Sequence, residues 1–126
     1  DGFNDVKYIE GAGAENTNDV YYVSGYSTKV DLTDKASKFV EAYKAKYGEE
    51  PNMFAALAYD SVYMIADAAK DAKTSKDIAT NLGKLKDFEG VTGKMTIDKK
   101  HNPVKSAVMI GLKDGKEDSA TAVEAE

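Results

Sequence analysis

The side chains able to do chemistry in this chain are few and scattered. His101 is the single histidine, in the polar run Asp98-Lys-Lys-His-Asn102. One imidazole with no cysteine and no second histidine falls short of the convergent donors a metal needs, and His101 reads as a surface turn residue. The same run opens like a calcium loop, but Pro103 and Met109 stand where that loop requires glycine and glutamate. Gly11-Ala12-Gly13 is a Gly-x-Gly; residue 16 is Asn rather than glycine, and the strand-like run follows it instead of preceding it, so the dinucleotide fingerprint is not met. Ser24 lacks the first glycine of a nucleophile elbow, and any Ser-His-Asp triad would have to recruit His101. The carboxylate pairs Asp5/Glu10 and Glu49/Glu50 read as solvated surface. No catalytic residue, cofactor or metal site is expected. Tyr59-Asp60 is the remaining position of interest, a phenol and a carboxylate inside an alanine-rich apolar segment. Either the charge turns to solvent, or the helix start lines a cleft where Asp60 meets a polar ligand or an opposing lobe.

The elements that must position these groups follow from periodicity. Val6, Tyr8 and Ile9 predict one or two helical turns ending at Gly11 or Gly13. Residues 20–26, VYYVSGY, predict a buried strand. Phe39, Val40, Tyr43 and Tyr47 fall on one helical face, with Asp31 or Thr33 as the cap and Gly48 as the left-handed stop. Pro51 blocks continuation, and a second helix is predicted from about Met53 to Ala72 with the stripe Phe54, Leu57, Ala58, Val62, Ile65 and Ala69. Ser75 is the expected cap of a shorter helix carrying Ile78, Leu82 and Leu85. Gly90 and Gly93 bracket a turn, residues 94–98 alternate as a strand, and residues 104–112 predict a strand covered on both faces. Asp114-Gly115 signals a hairpin, with residues 120–123 returning as an edge strand.

The chain has 126 residues, 42% hydrophobic and 31% charged, which suits one domain with a real core. Its net charge of −5 argues against nucleic acid, whose phosphates call for a basic face. No apolar run reaches the ~20 residues of a membrane helix, and no secretory signal opens the chain, which begins on Asp rather than Met. One strand before three helices and two or three after them leaves the helices short of sheet. The layout is either α+β or part of a larger α/β fold.

Five segments in order carry a resemblance. They are Asp1-Gly2-Phe3, residues 11–22, the helix and loop Phe39 to Pro51, Phe54-Ala-Ala-Leu-Ala-Tyr59-Asp60, and Asp87-Phe-Glu-Gly-Val-Thr-Gly93 with Ile97-Asp98 and Asn102-Pro103. The chain resembles the C-terminal third of a type I substrate-binding protein of an ABC transporter, from the branched-chain amino acid branch. The resemblance implies an α/β fold, a C-terminal fragment of a two-lobe periplasmic-binding-protein fold with three helices plus a small sheet. Residues 1–25 and 104–126 would belong to one lobe, and 26–103 to the other as helices and crossover. It implies binding without catalysis: an amino acid, branched-chain by this branch, captured between lobes and delivered to a permease. It places the ammonium-binding acid at Asp1, part of the apolar wall at Phe54, and Tyr59 and Asp60 at the cleft. The full-length protein would be extracytoplasmic, periplasmic or a membrane-anchored lipoprotein. The fragment, lacking the sheet its helices pack on, would self-associate. The competing readings are a stand-alone α+β protein-interaction domain and the sensing module of a larger receptor or enzyme.

Overall fold

In a computed structural model, residues 6–125 of the chain are described. They form α1 (Val6–Ala12), a 3-10 turn (Ala14–Asn16), β1 (Val20–Ser24), α2 (Asp34–Tyr47), α3 (Met53–Ala69), α4 (Ser75–Leu82), β2 (Phe88–Gly90), β3 (Gly93–Ile97), β4 (Pro103–Lys105), β5 (Ala107–Lys113) and β6 (Lys116–Val123). The strands make two antiparallel three-stranded sheets, ordered β1-β5-β6 and β2-β3-β4. The first sheet is assembled from the chain's two ends. The second sheet and the helices α2–α4 come from the continuous stretch between them.

Each body has its own apolar cluster. In the end-built sheet, Val108, Ile110 and Leu112 of β5 meet Ile9 of α1, with Val20, Tyr22, Val30 and Ala120 packed around them. In the helical body, Tyr26, Ala36, Phe39, Val40, Met53, Ala56 and Val91 form the centre. Local signals place the helix ends. Thr33 caps α2 by accepting a hydrogen bond from the Ala36 amide at 3.2 Å, and Gly48 ends it at φ 77°. Asp114 and Gly115, at φ 49° and 76°, turn β5 into β6 as a hairpin of this kind requires.

Several expectations are corrected. β1 and β5 are covered on one face only: Tyr21, Val23 and Met109 are exposed, while their alternate neighbours are buried or half-buried. An antiparallel sheet tolerates this because it needs no crossover helix on its second face. The apolar run from residue 104 is not one strand. It breaks at Ser106, with Pro103–Lys105 in one sheet and Ala107–Lys113 in the other. The cap of α4 is Thr74, one residue before Ser75. Its hydroxyl accepts from the Asp77 amide while the Asp77 carboxylate accepts from Thr74 N, a reciprocal capping box. α3 stops at Ala69, and β6 starts at Lys116, four residues before the expected strand. α3 leaves part of its apolar stripe uncovered, as expected of helices that lack the sheet they pack on. Met53, Ala56, Asp60 and Ala68 are buried, whereas Phe54, Val62 and Ile65 of the expected stripe are 48, 64 and 50% exposed. α3 is apolar nearly all round, and periodicity does not choose between two apolar faces.

Candidate functional site

Met53, the first residue of α3, turns back onto the end of β1. Its sulfur accepts from the Gly25 amide at 3.2 Å and from Ser24 Oγ at 3.3 Å. Asn52 caps the helix, its Oδ1 accepting from the Ala55 amide at 2.9 Å. With Met53 turned inward, the next residue, Phe54, is carried outward into solvent.

About two turns further on, Asp60 is only 2% exposed. Its carboxylate accepts from the Val91 amide at 2.7 Å, the Thr92 amide at 2.9 Å and the Thr92 hydroxyl at 2.7 Å. These donors lie in the turn between β2 and β3. A buried carboxylate is tolerated where several donors converge on it. The turn can approach this closely because residue 90 is glycine: a Cβ there would stand 2.3 Å from Asp60 Oδ2. Asp60 therefore latches helix to hairpin, a pairing that spacing along the chain does not reveal. The Gly90/Gly93 bracket was its nearest sequence signal.

Tyr59 faces a third direction. Its ring lies 4.6 Å from Phe39 and 4.8 Å from Tyr63, within an aromatic row along α2 and α3 that includes Tyr43 and Tyr47. Its hydroxyl donates to Tyr63 Oη at 3.3 Å, and that hydrogen bond holds the phenol above its ordinary pKa. The structure thus brings Phe54, Tyr59 and Asp60 onto one helix but points them away from one another. Asp1 lies outside the described residues. His101 is exposed, in a turn where Asp98 Oδ1 accepts from the amides of Lys100 at 2.7 Å and Asn102 at 2.8 Å. That turn uses the Asp98 carboxylate for its own backbone.

The region where the two bodies meet is concave. A cavity of about 500 Å³ lies between the β5–β6 sheet and the β2–β3 turn, lined by Gly25, Tyr26, Thr92, Ser106 and Val108 among others. Beside it Ser27 Oγ donates to Glu117 at 3.0 Å, joining the first crossing segment to β6. Tyr26 is buried here, which pushes its phenol up to about 12, with the charge of Glu50 adding to the effect. Lys105 is half-buried at the same place, and its ammonium donates to the Gly25 carbonyl at 2.8 Å. Burial lowers the pKa of this lysine, and the negative charge of Asp60 opposes that fall. Sequence reasoning missed Lys105, one of 17 lysines, because its role depends on two segments 80 residues apart. Among the described residues, no cluster of three or more His, Cys, Asp or Glu is placed to hold a metal ion.

A continuous helical body entered and left through a sheet built from both chain ends is one portion of a bilobed binding fold. The family described as "Periplasmic binding protein" matches residues 3–117, and the chain belongs to that family. Among solved structures it is similar to the branched-chain amino acid transporter substrate binding protein LivJ of Streptococcus pneumoniae, solved in complex with isoleucine. That likeness has a TM-score of 0.90 and 51% identity over 98% of this chain and 35% of that one. The leucine binding protein LivK of Thermotoga maritima gives a TM-score of 0.88 at 32% identity, over 98% of this chain and 36% of that one. An ABC transporter substrate-binding protein of Desulfitobacterium hafniense, in complex with Leu, has a TM-score of 0.75 at 24% identity and supports the fold alone; it covers 86% of this chain and 32% of its own. The chain spans about a third of the length of these structures. Comparison with curated proteins found no match.

Proposed function

We propose that the protein to which this chain belongs captures a branched-chain amino acid between two lobes, outside the cytoplasm, and delivers it to an ABC permease. The observation that carries this reading is the likeness to LivJ, solved with isoleucine, at 51% identity across nearly the whole of this chain. The chemistry is recognition: a carboxylate for the ammonium group, donors for the carboxylate, and an apolar wall for the side chain. In this reading Asp1 supplies the carboxylate and Phe54, exposed at the start of α3, supplies part of the wall. Tyr59 lies further along the helix, toward the aromatic row. Asp60, saturated by three donors, shapes the cleft by fixing the hairpin and does not itself grip the ligand.

The lobes divide as residues 1–25 with 104–126, and 26–103. The two sheets and the two apolar clusters support this division, with the pairing of β4 to β3 carrying the second boundary on to Ser106. The protein is periplasmic or held at the membrane as a lipoprotein. The described residues contain no helix long and apolar enough to cross a membrane. In isolation the chain self-associates through the exposed face of α3 at Phe54, Val62 and Ile65. A strictly monomeric species in sedimentation at high concentration contradicts that last point.

The test is a thermal-shift screen of the full-length protein against amino acids, because a ligand that binds only the native state raises the melting temperature. Isoleucine, leucine or valine should give the largest shift. A screen in which no aliphatic amino acid moves the transition overturns the proposal.

A further inference from the structure

Among the described residues the chain passes between the two bodies twice, leaving after Ser24 and returning at Ala107. The β1–β5 ladder ends at the pair Ser24–Val108, so the outgoing and returning segments start side by side. Beyond that pair no ladder joins them, since Lys105 already belongs to the ladder opposite Met95. The Lys105 ammonium reaches across this gap to the Gly25 carbonyl at 2.8 Å. The position is packed at ordinary van der Waals distance as well as polar. A Cβ on Gly25 would meet both Leu57 methyls and Lys105 Nζ at 3.7 Å.

We propose that Lys105 is a positioning residue, a tether that holds the two crossing segments together and limits how far the two bodies swing apart. Filling this position with a charge is costly, because a half-buried ammonium loses solvation that an apolar side chain would not. What the ammonium gains is a directional bond on a flexible four-carbon stem, able to follow the Gly25 carbonyl as the crossing bends. A ladder pair would lock one angle; a lysine tether keeps contact over a range. The neighbouring cavity of about 500 Å³, which both Gly25 and Ser106 line, gives the crossing room to bend. Asp60 supplies the nearby negative charge that favours the ammonium, while its own oxygens stay on the Val91–Thr92 turn. The inference rests on the two-lobe reading for its functional meaning and on the contacts at Gly25 for its geometry.

The experiment compares the full-length protein with K105M, which keeps the stem and removes the ammonium, and K105R, which keeps a cationic donor. The primary readout is amide hydrogen exchange, which needs no ligand. K105M should exchange about tenfold faster in residues 24–28 and 103–107, with α4 unchanged and K105R close to wild type. Isoleucine affinity should weaken about three- to tenfold in K105M and recover in K105R, as expected if the binding-competent arrangement becomes less populated. Unchanged exchange at the crossing, or acceleration spread evenly over the chain, overturns the tether. If K105M does not fold, K105Q takes its place with the same expected and overturning results. If the wild-type protein binds no branched-chain amino acid, the capture reading fails, and the exchange comparison still decides the tether.

Discussion

In the sheet formed from the chain's two ends, strand register alone assembles the buried face. Val108, Ile110 and Leu112 project to one side of β5, and Ile9 closes over them. In the body made of the middle of the chain, α3 offers two apolar faces, and a buried carboxylate marks the one that packs on the β2–β3 turn. The first body rests on apolar packing alone, while the second adds to a larger apolar cluster a set of directional bonds to one buried carboxylate. Directional bonds fail sharply when one partner is lost, because the remaining buried donors have no substitute. Apolar packing fails in proportion to the volume removed. The helical body should therefore be the more brittle of the two, and single substitutions should show it.

The largest effect is expected for Asp60→Ala. Two backbone amides and one hydroxyl lose their acceptor in a buried place, at about 1–3 kcal/mol each before relaxation, so a total loss of roughly 3–5 kcal/mol should appear in chemical denaturation. Faster exchange at Val91 and Thr92 should accompany it. Gly90→Ala attacks the same latch from the other side. Its Cβ would stand 2.3 Å from Asp60 Oδ2, so carboxylate or hairpin must move, at roughly 2–3 kcal/mol by the usual cost of overpacking. In the sheet, Ile110 is wholly buried, yet Ile110→Val removes one methylene and should cost only about 1 kcal/mol. If Ile110→Val proves more damaging than Asp60→Ala, the contrast between the two bodies is wrong.

These expectations bear on how much of the molecule was legible beforehand. The Thr33 cap, the Gly48 stop, the Gly90–Gly93 turn and the Asp114-Gly115 hairpin were all readable, because each is decided within a few residues. The packed face of α3 was not. Phe54, Val62 and Ile65 are the stripe that periodicity shows, while the buried contact is made by Ala56 and Asp60, and the Asp60 partners Val91 and Thr92 lie some thirty residues further on. The expectation that residues 104–112 would be covered on both faces failed because apolar content does not say whether a second layer is present. Of the candidate site, Phe54 was correctly seen as a residue at a helix start. The separate directions taken by Tyr59 and Asp60 depend on packing against α2 and the hairpin.

Two smaller effects sharpen the comparison. The hydroxyl of Tyr26 is buried with no hydrogen-bond partner among the described residues. Tyr26→Phe should leave the melting temperature unchanged, or raise stability by up to about 1 kcal/mol, since it removes an unsatisfied polar group and keeps the ring. Glu50 makes the smallest contribution. Its carboxylate is held below the ordinary glutamate value by hydrogen bonds from Lys44 and then Thr28, the Lys44 contact being 2.6 Å. A carboxyl whose folded pKa is depressed stabilises the fold above its ordinary pKa, and that contribution disappears as pH falls through the depressed value. The pair is solvent-exposed, so Glu50→Gln should cost a few tenths of a kcal/mol at neutral pH and nothing in acid. Denaturation series at the two pH values check both statements.

The central claim is that the middle of the chain and its two ends belong to separate bodies of a protein that closes on an amino acid. Small-angle scattering of the full-length protein, with and without isoleucine, tests it most directly, with calorimetry on the same sample reporting occupancy. The account predicts a smaller radius of gyration when isoleucine is bound. Superimposable curves from a sample that calorimetry shows to be saturated would contradict it.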